Sequence, residues 1–207
     1  MIYKSQYKEN ESNKMNTIFS VNVYKQKLNI QNKPLINYLL KLKKQDSKGR
    51  SISNPTGWQS FNLNVGQNVF LELVKQVEIN FVNYVNSIPL NNKFLISSIW
   101  GNINSYKDYN IAHVHGASVI SGVYYLKLPS KSGQICFYNP AHEGIDYLWE
   151  HCIEKFTPQN SSSWRIDVEE GDLILFPSWL KHGVEPNLNK KEDRVSIAFN
   201  ISKINAQ

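Results

Sequence analysis

The chain has 207 residues, of which 41% are hydrophobic, and it includes five tryptophans, eleven tyrosines and nine phenylalanines. This composition supplies a core and excludes a disordered chain, and no stretch reaches the roughly 18 apolar residues that span a membrane. The N-terminus lacks the apolar centre of a signal peptide. The two cysteines, Cys136 and Cys152, are too few for a disulfide framework. We therefore expect a soluble, cytoplasmic protein without a membrane partner.

The formal net charge is +6, and the basic residues are scattered along the chain instead of forming a long run. A mild and scattered excess of this kind is typical of solvated surface. We therefore expect no nucleic-acid partner.

The first half of the chain is predicted to be mostly helical. Residues 1–16 are predicted to form a flexible N-terminal arm, and the alternation of apolar and polar residues over Thr17–Tyr24 predicts a strand. A short helix is expected over Leu35–Leu42. Glycines and a proline make Gln45–Gln59 a predicted loop, and the apolar spacing over Asn68–Val85 predicts an amphipathic helix of about five turns.

The second half of the chain shows strand patterns separated by turns. Helices followed by many short strands predict a mainly β protein in which N-terminal helices buttress a sandwich or barrel. We expect one domain over residues 17–207, with helical support at 34–90 and the barrel core at 94–203. The predicted strands are residues 94–100, 119–128, 134–138, 164–168, 173–176 and 195–201.

Three of the five histidines are candidate metal ligands. His113 and His115 are two residues apart, and in an extended segment such residues point to the same side. His182 follows a buried strand that ends at Pro177. Imidazole suits Fe, Zn, Cu and Ni, and three ligands leave positions open for chemistry. A lone histidine is more often an ordinary core or surface residue, and this is the interpretation we favour for His142 and His151.

Arg194 and Ser196 form a candidate anion site, because they share one face of a predicted strand. The guanidinium group offers a planar fork for a carboxylate, and the hydroxyl group adds a donor. The alternative is that Arg194 forms a surface ion pair with Asp193 or Glu192.

With these motifs the chain resembles the Fe(II)/2-oxoglutarate-dependent oxygenases, and among them the small 2OG-Fe(II) oxygenase group of bacteria and phages. The resemblance is strongest from about Ile99 to Ser202. Asn54 with Gly57–Ser60 is a weaker part of it. The segments that carry it are His113–His115, Ser121–Leu126, Gly171–His182 and Arg194–Asn200.

The resemblance implies a double-stranded β-helix, a jelly-roll or cupin-like barrel. It implies Fe(II) held by His113 and His182, with 2-oxoglutarate as co-substrate and O2 as oxidant. The expected reaction hydroxylates a substrate and forms succinate and CO2, as in other dioxygenases of this kind. The implied 2-oxoglutarate-binding residues are Arg194 and Ser196, then Tyr124 or Tyr125 and Asn102 or Asn104, with Tyr124 and Asn102 preferred.

The third ligand departs from the family pattern, in which a carboxylate follows two residues after the first histidine. In one interpretation His115 takes that position and three neutral histidines bind the metal. In another, His115 is the first ligand and Ala117 leaves the carboxylate position vacant, as in oxygenases that place a halide there. In a third, a carboxylate arrives from a loop, with Asp108, Glu143 or Asp146 as candidates. The spacing of His113 and His115 favours the first.

The substrate is not predicted beyond a small molecule or a peptide or protein side chain. Trp58, in a predicted loop, is the preferred substrate-contacting aromatic residue, and a homodimer through the N-terminal helices is left open. A cupin-type metalloenzyme is one alternative, although cupins usually carry a glutamate where Val119 and Ile120 stand. A catalytically silent β-helix binding protein is the other.

Overall fold

The structure is a computed structural model that describes residues 16–91 and 93–204. The predicted N-terminal arm, apart from Asn16, lies outside the described residues. Besides the main helices and strands, short helical turns occur at His142–Gly144, Ile145–Trp149 and Glu150–Cys152. The helices are α1 (Asn32–Gln45) and α2 (Leu71–Ser87, preceded by a 3-10 turn at Asn68–Phe70), and the strands are β1 (Tyr24–Lys27), β2 (Trp58–Gln59), β3 (Phe94–Asn104), β4 (Asn110–His113), β5 (Ile120–Lys127), β6 (Ile135–Tyr138), β7 (Ser163–Ile166), β8 (Asp172–Pro177), β9 (His182–Val184) and β10 (Arg194–Lys203).

The strands form two antiparallel sheets. The large sheet has the order β1-β8-β5-β10-β3-β2, and the small sheet has the order β4-β9-β6-β7. Apolar side chains of both sheets meet in one buried cluster, in which Tyr125 and Phe176 of the large sheet join Ile135 and Phe137 of the small sheet. The two sheets therefore face each other across a shared interior.

The two helices cover the outer face of the large sheet. Along β10, Val195, Ile197 and Phe199 alternate with polar or small residues and pack in one cluster with α1 and α2. Helix α1 lies so close to β3 that a Cβ atom on Gly101 would collide with Leu39, which explains why this strand position has no side chain. The alternation thus puts the apolar half of β10 under the helices and the other half in the barrel interior.

Helix α1 is longer than the sequence pattern predicts. Pro34 lies in its first turn, where a backbone N–H has no intrahelical partner in any case. Lys43 and Lys44 lie in its last turn, where positive charge favours the helix dipole.

The strand predicted over Thr17–Tyr24 is wrong, because pairing begins only at Tyr24 and runs to Lys27. Val21 and Val23 pack against the cluster between the sheets. The alternation there reflects this packing, and residues 17–23 do not form a strand. Within the described part of the chain, no helix has the length and hydropathy needed to cross a membrane.

Candidate active site

Three histidines converge at one end of the barrel interior. His113 ends β4 and lies opposite His182, the first residue of β9. His115 follows two residues after His113, in the turn that leaves the strand, where its backbone N–H donates to the carbonyl of Ser178 at 2.9 Å. One ligand nitrogen from each ring lies within 4.8 Å of those of the other two, and the Nε2 atoms of His113 and His115 are 3.1 Å apart.

The tautomers of two of these rings follow from their partners. His113 Nδ1 is 2.8 Å from the carbonyl oxygen of Ile111, and His182 Nδ1 is 2.9 Å from that of Leu180. A carbonyl oxygen only accepts, so Nδ1 must donate and Nε2 carries a lone pair. Nitrogen lone pairs directed at a common point repel each other unless a metal cation or a shared proton lies between them. The donor set therefore fits a metal ion.

Burial keeps the histidines neutral, which is the state in which imidazole binds metals. Desolvation lowers the pKa of His182 to about 3, against the opposing effect of its bond to Leu180. Desolvation also lowers the pKa of His115 to about 4, with a smaller contribution from nearby His113. The pKa of His113 is lowered for the same reason.

No carboxylate joins this group among residues 16–91 and 93–204. Asp108 accepts a bond from the backbone N–H of Ser105, while Glu143 and Asp146 are exposed, as is Ala117. The geometry thus brings His115 to the other two histidines. His142 and His151 lie in the helical turns at 142–152 and are not part of the group.

The inner face of the large sheet forms the opposite wall of the cavity. Its residues come from alternate positions of β3, β5 and β10, because every second side chain of a strand points inward. The three histidines line the same cavity from the side of the small sheet. Along the strands, the cross-strand rows are Asn104–Arg194, Asn102–Ser196–Tyr125, Trp100–Ala198–Val123 and Ser98–Asn200–Ser121.

Arg194 is buried, with 1% of its surface exposed. The alternative of a surface ion pair is therefore wrong. Its Nη1 atom donates to the carbonyl oxygens of Ser132 and Glu185, the latter at 3.0 Å. Burial lowers the pKa of the guanidinium group, but arginine remains charged in proteins. Arg194 has no carboxylate partner in the part of the chain that the structure describes, and a buried, unpaired positive charge calls for an anion.

Unpartnered polar atoms lie around this guanidinium group. Within the described residues, Arg194 Nη2, Tyr125 Oη and Asn104 Nδ2 are buried donors without a hydrogen-bond partner, and Asn102 Oδ1 is a buried acceptor without one. Buried polar groups are nearly always satisfied in native proteins. Burial also raises the pKa of Tyr125 to about 12, so its hydroxyl group stays a donor. These donors fit a carboxylate between Arg194 and Tyr125.

Two predicted site residues lie elsewhere. Tyr124 points to the helices and donates to Asn32 at 2.7 Å, so its assignment is wrong and Tyr125 lines the cavity instead. Trp58 is 5% exposed and packs in the core beneath the helices. Its indole N–H donates to the carbonyl oxygen of Asp46 at 2.7 Å, so the prediction of a substrate-contacting loop residue is wrong as well.

Other cavity residues were not predicted as parts of the site. Trp100 stacks on His115 with ring centroids 5.9 Å apart and an interplanar angle of 18°. Strand alternation through Trp100 and Asn102 could have indicated its place on the inner face. Ser53 and Asn110 also line the cavity and are joined by a 3.2 Å hydrogen bond.

Comparisons with known proteins place these features in context. Residues 98–200 match a family model described as "Putative 2OG-Fe(II) oxygenase". A search of curated protein sequences finds no significant match.

Solved structures with the same fold include a prolyl-4-hydroxylase from Pseudomonas putida, with a TM-score of 0.61 and 10% identity over 90% of this chain and 95% of that one. HygX from Streptomyces hygroscopicus, with nickel and 2-oxoglutarate bound, has a TM-score of 0.59 and 12% identity over 88% of this chain and 83% of its own. SnoK, a non-heme alpha ketoglutarate dependent carbocyclase from nogalamycin biosynthesis, has a TM-score of 0.62 and 10% identity over 88% of this chain and 80% of its own. These likenesses confirm the predicted double-stranded β-helix, and at such identities they show the fold alone.

Proposed function

Because the chain belongs to the 2OG-Fe(II) oxygenase family, we propose that it is an Fe(II)- and 2-oxoglutarate-dependent oxygenase with three histidine ligands. His113, His115 and His182 would hold the metal, as the first of the three sequence interpretations has it. Bound Fe(II) supplies the activation of O2 that protein side chains cannot provide. The protein residues supply ligation, orientation and exclusion of water.

One observation carries this proposal: a single cavity joins three converging imidazole nitrogens, which can bind a cation, to a buried guanidinium group whose Nη2 atom has no partner. The converging Nε2 atoms lie on the small-sheet side, and Arg194 Nη2 and Tyr125 Oη lie on the large-sheet wall. A molecule with an electron-rich group at one end and a carboxylate at the other satisfies both. 2-Oxoglutarate has this form, with its keto acid at the metal end and its distal carboxylate at Arg194.

The charges of the site also match a dianion. Three neutral imidazoles leave the two positive charges of a divalent metal uncompensated, so that an anionic oxygen ligand is favoured. Arg194 adds a further positive charge. Between the two ends, Val123, Ala198 and Phe176 form an apolar section, which lowers the local dielectric constant and strengthens both interactions.

Four side chains on the large sheet would orient the distal carboxylate. Arg194 and Tyr125 donate from atoms that have no other partner, and Ser196 lies between them in the cross-strand register. Asn104 Nδ2 is the third unpartnered donor at this wall, in the row next to Ser196. Asn102 presents its oxygen, so it would donate only with its amide group turned over.

Hydroxylation is the reaction we propose, with formation of succinate and CO2 from the co-substrate. The family match supports it over the cupin-type alternative, because the matched region includes the Arg194–Asn200 segment. The substrate would be a small molecule or a peptide or protein side chain. Among the proteins of similar fold, vCPH from Paramecium Bursaria Chlorella virus-1 is a collagen prolyl hydroxylase, and HygX has been crystallised with hygromycin B.

The proposal can be tested with purified protein under anaerobic conditions. Addition of 2-oxoglutarate to the Fe(II)-loaded protein should produce a weak visible charge-transfer band, and exposure to air should yield succinate. Arg194→Ala should weaken 2-oxoglutarate binding by about 30-fold or more, because a buried charged partner is lost. Arg50→Ala, which removes an exposed arginine, is the matched control and should leave binding unchanged.

Two outcomes would contradict the proposal. If no band forms and no succinate appears in air, the catalytically silent binding protein becomes the better interpretation. If His182→Ala binds Fe(II) as tightly as the wild type, the metal lies elsewhere.

A further inference from the structure

We propose that Trp100 is a positioning residue for His115, and that its indole ring holds the third imidazole in the plane in which it can bind the metal. The inference rests on the proposed function, because it concerns a ligand of the proposed metal centre. It goes beyond that function in assigning a role to a residue of the large sheet that would not itself touch the metal.

The three candidate ligands differ in how the fold holds them. His113 and His182 are paired in neighbouring strands, and their Nδ1 atoms donate to main-chain carbonyl oxygens. His115 lies beyond the end of β4, where its backbone N–H donates to the carbonyl oxygen of Ser178. Its ring makes a 3.1 Å contact with His113, from Nε2 to Nε2, which a metal ion would replace. The ring of His115 therefore depends more than the other two on packing.

Stacking supports this ring from both sheets. The ring of His115 lies nearly parallel to that of Trp100 on the large sheet, with centroids 5.9 Å apart and planes at 18°. It is also nearly parallel to the ring of His182 on the small sheet, at 5.2 Å and 13°. Both distances are within the range of offset-stacked rings. Because the lone pair of an imidazole nitrogen lies in the plane of the ring, these two neighbours fix the plane in which His115 can bind a metal.

Trp100 is suited to serve as a fixed surface. It lies on β3, which pairs with β10 from Arg194 to Lys203. Its cross-strand neighbour on β10 is Ala198, and both residues line the cavity. Opposed residues of an antiparallel pair have their Cβ atoms close together, so the small methyl group of Ala198 leaves space for the indole ring beside it. The position of the indole ring is thus set by the large sheet and not by the turn that carries His115.

The stack should also be stronger when a metal is bound. Coordination to a divalent cation withdraws electron density from an imidazole, and an electron-deficient group is attracted to the electron-rich face of an indole ring. Among the described residues no carboxylate joins the three histidines, so none would offset this positive charge. Trp100 would therefore stabilise the metal-bound form of His115 relative to the metal-free form, in addition to orienting its ring.

The direct test is the affinity of the metal-free protein for Co(II), measured by calorimetry. Trp100→Leu should weaken Co(II) binding by about 3- to 10-fold, as expected for the loss of one aromatic pair. Trp100→Phe, which keeps a smaller aromatic face, should have an affinity between those of Trp100→Leu and the wild type. Trp149→Leu is the matched control, because it removes an exposed tryptophan from the helical turn at 145–149 and should leave the affinity unchanged.

A double-mutant cycle separates positioning from a merely structural role. In a His115→Asp background there is no imidazole for the indole ring to hold, so Trp100→Leu should change Co(II) affinity less than about twofold. Proton–nitrogen correlation spectra of the indole groups give an independent measure, in which the signal missing from Trp100→Phe identifies Trp100. Addition of Zn(II) should shift that signal in the wild type, and the shift should be much smaller in His115→Asp.

Equal losses of Co(II) affinity in the two backgrounds, or a wild-type affinity in Trp100→Leu, would overturn the positioning role while leaving the metal centre intact. A Zn(II)-induced shift of the Trp100 signal that is as large in His115→Asp as in the wild type would do the same. A wild-type protein that binds no Co(II), or a His115→Ala variant with wild-type affinity, would overturn the three-histidine centre and this inference with it. The two failures are therefore distinguishable.

Discussion

His113 on β4 lies directly opposite His182 on β9, with the ring centroids 4.5 Å apart. Residues opposed in an antiparallel pair have their Cβ atoms about 4.5–5.5 Å apart, so the strand pairing alone holds two imidazoles side by side. Each ring donates to a carbonyl oxygen two residues earlier, which turns both Nε2 atoms toward the same point. Two metal-binding positions are thus set by backbone structure.

The first prediction concerns the pH dependence of stability in the metal-free protein. Burial lowers the folded-state pKa of His182 to about 3 and that of His115 to about 4, below the value of about 6.5 in an unfolded chain. Between these values the unfolded state binds protons that the folded state does not. The free energy of unfolding should therefore fall as pH drops from about 6.5 toward 4.

Urea unfolding between pH 7 and pH 4 measures this dependence. Each histidine contributes a slope of at most about 1.4 kcal/mol per pH unit. His182→Gln should show a shallower slope than the wild type, because one of these groups is gone, whereas His142→Gln should not, because His142 is not part of the cluster. Parallel curves for the wild type and His182→Gln would contradict the prediction.

The second prediction contrasts the two adjacent tyrosines of β5. Tyr125→Phe removes an unpartnered buried hydroxyl group, so it should leave stability unchanged or raise it slightly. It should weaken 2-oxoglutarate binding by about tenfold, as expected for a lost bond to a charged group.

Tyr124→Phe should do the reverse. It breaks the bond to Asn32 and should cost about 1 kcal/mol of unfolding free energy with no effect on 2-oxoglutarate affinity. Binding calorimetry and urea unfolding of both variants decide the matter. If both variants lose 2-oxoglutarate affinity equally, Tyr124 and Tyr125 do not point to opposite faces of β5.

These tyrosines also show how far sequence reasoning could reach. Alternation was enough to place Arg194 and Ser196 on one face of a strand, and the structure puts them there. It could not choose between Tyr124 and Tyr125, because neighbouring residues of a strand point in opposite directions. The choice depends on the register with β10, which shifts between Val195 and Ser196, and such a shift arises from tertiary packing.

The position of Trp58 was beyond the reach of sequence reasoning. Strand β2 has two residues, which is too short for any periodic pattern, so the glycines and proline around Trp58 dominated the prediction.

The third prediction concerns Trp58, which is a core residue in the structure. Trp58→Phe loses the bond to the carbonyl oxygen of Asp46 and part of the volume that packs beneath the helices. It should lower the free energy of unfolding by about 1–3 kcal/mol. Fe(II) and 2-oxoglutarate affinities should stay within about twofold of the wild type, since the side chain does not line the cavity. If Trp58→Phe is as stable as the wild type but binds Fe(II) or 2-oxoglutarate more weakly, Trp58 belongs to the active site.

The fourth prediction concerns Gly133, which packs against the Glu185 carbonyl group that binds Arg194. Gly133 has a φ of +79°, a conformation that favours glycine. A Cβ atom at this position would collide with the carbonyl oxygen of Glu185 and lie 2.7 Å from that of Pro186. The carbonyl oxygen of Glu185 accepts from Arg194 Nη1, so movement of this segment should displace the guanidinium group.

Gly133→Ala should therefore lower the free energy of unfolding by about 1 kcal/mol or more. It should also weaken 2-oxoglutarate binding, whereas Co(II) affinity should be unchanged because the histidines lie at the other end of the cavity. Gly144→Ala is the control, since a Cβ atom there meets nothing within 4 Å. Calorimetric titrations with Co(II) and then with 2-oxoglutarate separate the two effects. If the variant binds 2-oxoglutarate normally, the carbonyl oxygens of Ser132 and Glu185 are not what positions Arg194 for its ligand.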